Sequence, residues 1–250
     1  MSLRILCLCF SLMVLAACGE KSKQSDGQKA LVVLVSPDNP PFEFKDTAQG
    51  GDKVIGFDMD VIQKVGEHLG RPIQIVEMDF AAIIPALQAG RADMAISGLS
   101  PTEERKKSID FSEPYHVDKK ALLVLEDSSI ASEKDLQNKK LGAQLGSAHE
   151  VVAKKWAETT PGLTVISLGK IGEMVQELKN RRIQAILFED TAARKIASST
   201  PGLKVVLLTV EGGPSAIGFP KGSPLVEPTN KALKEMNADI EQLEAKWFTQ

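Results

Sequence analysis

The sequence predicts an α/β fold with mainly parallel strands, and three observations carry that prediction. From Ala30 onward, short apolar runs alternate with amphipathic stretches of helical period. Several of the helical stretches begin on a capping residue and stop at glycine. The segments Leu87 to Ala92 and Leu178 to Ile183 each read as a helix end, a turn and a strand start, a hint that two units are built alike.

Leu31 to Val35 is the first strand. Asp58 is placed to cap a helix that carries Val61, Ile62, Val65 and Leu69 on one face and closes at Gly70. Ile73 to Val76 follows as a strand, a helix from about Ala81 to Ala89 stops at Gly90, and Ala92 to Ile96 is a buried strand. A second unit begins near Lys119. Its strands are Ala121 to Leu125, Lys140 to Ala143, Val165 to Leu168 and Ile183 to Phe188, with helices from about Ala148 to Glu158 and Met174 to Leu178. A final helix, roughly Pro228 to Phe248, sets Leu233, Met236, Ile240, Leu243 and Trp247 on one core-facing stripe.

Of the 250 residues, 43% are apolar and 25% charged, which excludes global disorder. The 30 basic residues are scattered among 33 acidic ones, so no basic face is offered to nucleic acid. The start of the chain is different. Arg4 precedes an apolar stretch, Ile5 to Leu15, too short for a membrane span and followed by small residues, which together read as an export signal. Leu15-Ala16-Ala17-Cys18 looks like the bacterial lipobox, in which the cysteine is acylated and the chain is cut before it. The expectation is a signal peptide over 1–17, a lipidated Cys18 and a polar tether over 18–28. One acyl chain holds a protein only marginally on a membrane, so stable anchoring implies more than one. Cys7 and Cys9 fall in the signal, which leaves the mature chain no disulfide.

The segment Ser97 to Arg105 is the most informative for chemistry. A buried strand ends at Ser97, and Ser100 is placed to cap a helix with Pro101 at its first position and Glu103 at its third. Arg105, one turn in, can offer its planar fork to a carboxylate. On these residues alone, a plain helix start with Arg105 paired to a surface acid is an equal alternative. A second such start follows Ala143, where Ser147 and Glu150 open another helix. Two helix starts at strand ends, one per unit, suit a small anionic ligand in the crevice between them. Glu189, at the end of the strand Ile183 to Phe188, would project into that crevice to meet an ammonium, with Asp190 as its rival.

Several motifs now stand in order: Pro40-Pro41-Phe42-Glu43-Phe44, Gly56-Phe57-Asp58-Met59-Asp60, Ile84-Pro85-Ala86-Leu87-Gln88-Ala89-Gly90, Ser97 to Arg105, and Asp110-Phe111-Ser112-Glu113-Pro114-Tyr115. From about Val32 to the C-terminus the chain resembles the polar amino-acid-binding receptors of ABC importers, the family-3 extracellular solute-binding proteins. The resemblance implies a two-lobed periplasmic-binding-protein fold with discontinuous lobes joined by two crossing strands. Lobe one would be 29–118 with 214–250, and lobe two 119–213. In such a receptor Arg105 clamps the ligand's α-carboxylate with help from Ser100 and Ser147, while Ser97, Gly98 and Glu189 serve the ammonium. Phe80 stands where the family places an aromatic wall, and Asn39 stands where it often has tyrosine. Ala148 replaces a frequent threonine, and Glu189 a commoner aspartate.

Asp38, Glu43 and Phe80 fall near the expected side-chain end, which favours arginine or lysine, ahead of glutamine and cystine. The implied partners are a free amino acid, membrane-embedded permease subunits and the membrane itself through the anchor, with the protein a monomer on the periplasmic or cell-surface side. No cofactor or metal is expected, since His68, His116 and His149 form no zinc motif. Two alternatives stay open: a dehydratase-type enzyme on the same fold using Glu189 or His149 as acid, and an adhesin or signalling lipoprotein.

Overall fold

In the computed structural model, residues 29–46, 51–210 and 212–249 are described. The export signal, Cys18 and the tether lie outside them. β1 (Leu31–Val35) turns Leu31, Val33 and Val35 to one face and Leu34 to the other, and a separate apolar core forms on each face. The chain continues through β2 (Asp38–Asn39), β3 (Glu43–Lys45), β4 (Val54–Ile55), α1 (Phe57–His68), β5 (Ile73–Glu77), α2 (Phe80–Gln88), β6 (Met94–Ala95), α3 (Glu103–Lys106) and β7 (Ile109–Phe111). β8 (His116–Asp118) then leads to β9 (Lys120–Leu125), a 3-10 turn at Glu133–Leu136, β10 (Lys140–Gln144), α4 (Ala148–Thr159), β11 (Thr164–Leu168), α5 (Ile171–Lys179), β12 (Ala185–Glu189), α6 (Asp190–Ser199) and β13 (Leu203–Leu207). β14 (Gly213–Ser215) returns the chain to β15 (Gly218–Pro220), α7 (Val226–Glu235) and α8 (Asn237–Phe248).

The strands form two five-stranded sheets of like design, ordered β5-β1-β6-β15-β7 and β11-β10-β12-β9-β13. Three neighbours in each are parallel: β5, β1 and β6 in the first, β11, β10 and β12 in the second. The strand that runs against them is the one by which the chain enters after crossing, β15 in the first sheet and β9 in the second. The crossing strands themselves, β8 and β14, pair antiparallel with Asp118 opposite Gly213 and His116 opposite Ser215. This is the two-lobed fold with discontinuous lobes that the sequence predicts. In β9, Ala121 and Leu123 enter one core while Leu122 and Val124 enter another, so the second sheet is also covered on both faces.

The internal likeness has a structural basis. α2 leads into β6 as α5 leads into β12, and Arg181, with φ 59°, adopts the left-handed turn that Gly90 adopts at φ 66°. Even the hydrogen bonds match, with Arg91 N–H on Ala86 C=O at 3.0 Å and Arg182 N–H on Glu177 C=O at 2.9 Å.

Four element expectations need correction. Gly56, not Asp58, precedes the first helical residue of α1, and Asp58 lies inside the helix, fully buried. The strand expected over Ala92 to Ile96 is regular only at Met94–Ala95. α5 starts at Ile171 rather than Met174. The final helix breaks at Met236 into α7 and α8, yet the stripe Leu233, Met236, Ile240, Leu243 and Trp247 still packs on the core around β1. α6 buries Ala192, Ala193 and Ile196, side chains so small that they leave a weak apolar period in the sequence.

Candidate functional site

The C-terminal ends of β1 and β6 in one sheet face those of β10 and β12 in the other, which is where open parallel sheets receive ligands. A narrow cavity lies between them. Its lining contains Asn39, Phe80, Ser97, Gly98, Ser100, Arg105, Ser147 and Glu189, so the eight residues singled out from the sequence converge on one space.

Arg105 enters from α3, a helix of four residues. The capping box expected at Ser100 does not form. Thr102 N–H instead turns back to Ser100 C=O at 2.9 Å, and the Thr102 hydroxyl caps the helix by accepting from Arg105 N–H at 3.3 Å. This leaves the Ser100 carbonyl to accept from Arg105 Nη1 at 2.9 Å. Nη2 donates to the Gly146 carbonyl of the facing lobe at 3.0 Å, and the guanidinium lies 5.6 Å from the Phe80 ring centroid. A guanidinium has five N–H donors, so three remain for an anion. Burial lowers its pKa to about 10, which keeps it a cation at neutral pH.

Ser97 and Gly98 follow β6 and are held from below. Ser97 Oγ donates to Glu43 Oε1 at 2.6 Å and accepts from Ser36 N–H at 3.1 Å. Its proton is thus turned away from the cavity, leaving one lone pair to accept from a ligand. Gly98 holds φ at 54°, a left-handed conformation in which its N–H donates to Asp58 Oδ2 at 2.9 Å. Glu43 was expected at the side-chain end of the ligand site. The structure places it beneath Ser97 instead, 1% exposed. Burial, and then the neighbouring Asp58, push the Glu43 carboxyl well above its ordinary range. Burial raises Asp58 to about 6 against the opposing hydrogen bonds from Gly98 and Tyr115.

On the facing lobe, Ser147 caps α4 as expected, its hydroxyl accepting from Glu150 N–H at 3.1 Å. Glu150 closes the turn by accepting from Gly146 N–H at 2.7 Å. A Cβ at Gly146 would sit 3.1 Å from Ala81 Cα, so glycine permits the close approach of the two lobes here. Glu189 ends β12 with its carboxylate in the cavity, where Oε1 accepts from Asn39 Nδ2 at 3.0 Å and Oε2 lies 3.4 Å from His149 Nε2. Asp190, the rival acid, lies outside the lining and accepts from Lys119 N–H at 3.0 Å.

Asp38 is not a free acidic rim either. It spans the cleft, taking the Ile171 N–H at the start of α5 on Oδ2 at 3.0 Å and the Ser36 hydroxyl on Oδ1 at 3.1 Å. Lys170 and Asp79 pair beside it at 2.6 Å. Gln144 and Ile171 also line the cavity and were not singled out, and His149, named from the sequence only as a candidate acid, lines it too. Gln144 was legible as a polar residue closing an apolar strand, whereas Ile171 gave no such signal. Among the described residues, no group of His, Cys, Asp and Glu side chains is arranged to hold a metal. None of their helices is long and apolar enough to cross a membrane.

The cavity thus presents a half-buried cation and a carboxylate at separate places, with hydroxyl and backbone groups between them. Such a site can grip a zwitterion. The chain is 38% identical over 251 residues to the arginine-binding extracellular protein ArtP of Bacillus subtilis, covering 97% of this chain and 94% of that one. A solved structure of an ancestral arginine-binding protein bound to arginine superposes with a TM-score of 0.82 at 40% identity, covering 88% of this chain and 98% of that one. An ancestral arginine-binding protein bound to glutamine gives a TM-score of 0.82 at 39% identity, covering 90% and 100%. The model of the bacterial extracellular solute-binding proteins, family 3, matches residues 31–250, and the chain belongs to that family of receptors, which are not enzymes.

Proposed function

We propose that this protein is the lipid-anchored receptor of an amino-acid ABC importer, and that it takes a free polar amino acid between its lobes, arginine or lysine before glutamine or cystine. The observation that carries this reading is the pairing of Arg105 with Glu189 in one cavity, each on a different lobe. Arg105 takes the α-carboxylate, with Ser100 and Ser147 beside it. Glu189, Ser97 and Gly98 take the ammonium, and Phe80 covers the aliphatic part of the side chain. Asn39 sets the position of the Glu189 carboxylate through their hydrogen bond.

The preference for a cationic side chain is supported by the arginine-binding relatives and by the acid Asp38, which meets the cavity residue Gln144 at 3.5 Å. Asp38 is already hydrogen-bonded across the cleft, so its share in recognising a cation is through charge more than through a direct fork. The lobes divide as 29–118 with 214–250 and 119–213, hinged where β8 and β14 cross. The protein works as a monomer, held outside the cytoplasm through acylated Cys18, and hands its ligand to membrane-embedded permease subunits.

Calorimetry of the purified protein against the common amino acids tests the ligand. Arginine or lysine is expected to bind most tightly. A ranking with glutamate or an aliphatic amino acid above arginine, lysine and glutamine rejects the preference, and failure of every amino acid rejects the receptor reading. Fatty-acid labelling tests the anchor separately: Cys18→Ser is expected to abolish incorporation, and label that persists removes the lipoprotein assignment.

A further inference from the structure

We propose that His149 couples ligand capture to proton release, so that the cleft grips an amino acid only while this imidazole is neutral and loosens in acid. The inference deepens the amino-acid reading above and rests on it. His149 is the second residue of α4, directly after the Ser147 cap. Of the two oxygens of Glu189, Oε1 is taken by Asn39 and Oε2 faces His149 Nε2 at 3.4 Å. The carboxylate oxygen without an amide donor on it is the one beside the imidazole, and a ligand ammonium that meets it also meets His149. An imidazolium there would satisfy Glu189 itself and repel the incoming ammonium.

The charged groups facing His149 come from four elements. Burial is the largest influence and disfavours its charged form. Glu189 on β12 and Asp118 on β8 favour the charge, while Lys120 on β9 and Arg105 on α3 oppose it, and the net effect lowers its pKa. A ligand ammonium on Glu189 neutralises the strongest favourable partner and adds another cation. Ligand and proton thus compete, and by linkage each expels the other.

Exchange with solvent is open even with the lobes together. His149 keeps 19% of its side-chain exposure and borders a second, wider hollow that also meets Glu103, Glu104, Lys119, Lys120 and Lys155. The other two described histidines lie elsewhere: His68 pairs with Glu235, and His116, between Asp118 and Glu244, is raised to about 9 and stays charged over the relevant range.

The test is calorimetric titration with L-arginine from about pH 5 to pH 8, in two buffers of different ionisation enthalpy, for wild type, His149→Gln and His149→Asn. Wild type is expected to release up to about one proton on binding, with Kd weakening by up to about tenfold per pH unit below the His149 midpoint. The variants are expected to bind at about pH 8 and to lose that release and that slope. Equal proton release in wild type and variants overturns the proposal, because another group such as Asp58 is then its source. Absence of release in wild type overturns it whatever the variants do. Loss of all binding in both variants with unchanged melting temperatures also overturns it, since His149 would then be an obligatory ligand contact. If wild type binds no amino acid at about pH 8, the receptor reading itself falls; if it binds there but releases no proton anywhere between about pH 5 and pH 8, only this inference does.

Discussion

The two walls of the cleft are built in different ways. The wall after β6 is set from within its own lobe, because Ser97 and Gly98 are hydrogen-bonded to Glu43 and Asp58, both buried. The wall formed by α4 and the end of β12 reaches its partners across the gap: Gly146 accepts from Arg105, Glu189 from Asn39, and the Ile171 N–H goes to Asp38. One wall is thus fixed by buried acids of its own lobe, and the other is tied as well by hydrogen bonds across the cleft.

Substitutions can break or sharpen this contrast. Arg105→Ala should have the largest effect, because it leaves a carboxylate in a closed cleft without its cation, a loss on the order of 2 to 5 kcal/mol. Affinity for every amino acid should fall roughly 30-fold to several thousand-fold at tenfold per 1.4 kcal/mol. Arg105 also holds Ser100 and Gly146, so its loss weakens the bridge between lobes as well as the ligand clamp. Calorimetry showing binding within about twofold of wild type would remove Arg105 from the clamp.

Glu189→Gln should come next. The amide keeps the shape and the Asn39 contact but loses the charge, and a hydrogen bond to a charged group is worth about 1.5 to 3 kcal/mol. The expected fall in affinity is roughly tenfold to a little over a hundredfold, the same for arginine and glutamine. Wild-type affinity in Glu189→Gln together with weak binding in Asp190→Asn would move the ammonium seat to Asp190.

Glu43→Gln probes the wall after β6 through pH. The folded-state pKa of Glu43 is raised, so wild type loses stability as pH climbs from the ordinary value of 4.5 through the raised one. Glutamine cannot ionise and escapes that loss. The variant should melt close to wild type near the ordinary carboxylate pKa and higher than wild type by on the order of a few degrees at neutral pH and above. A difference in melting temperature that does not change with pH would mean that Glu43 carries no ionisation strain.

Asp79→Asn should have the smallest effect. Its partner Lys170 is 42% exposed and Asp79 itself 68%, so solvent screens the pair. About 0.2 to 1 kcal/mol of closure is expected to be lost, seen as a Kd change within roughly fivefold that shrinks further in salt. A larger loss that persists in high salt would make this pair a true clasp between the lobes.

Much of the first sheet was legible because β1, α1 and α2 carry their burial pattern in their own residues. Some cavity residues were legible for the same local reason, since Ser147 announces a cap and Glu189 closes an apolar strand, whereas Phe80 and Asn39 came only with the family resemblance. Arg105 was legible too, although the helix that bears it starts later than its motif suggests, since the turn Ser100 to Thr102 takes the place of a capping box. Glu43 shows the limit. An acid in an exposed-looking loop motif proved to be buried, because the strand end at Ser97 lies over it.

The alternation of apolar and polar residues by itself located most of the longer strands and helices, since side-chain period follows from backbone geometry within a few residues. Only the tertiary structure decided which side chains meet. Asn39 and Glu189 are 150 residues apart, and Arg105 and Gly146 41 apart, and they touch because two separately packed sheets face each other across the crossing strands. Those contacts depend on how the lobes pack and on the entropy of bringing distant segments together, and neither quantity is written in any local stretch of sequence.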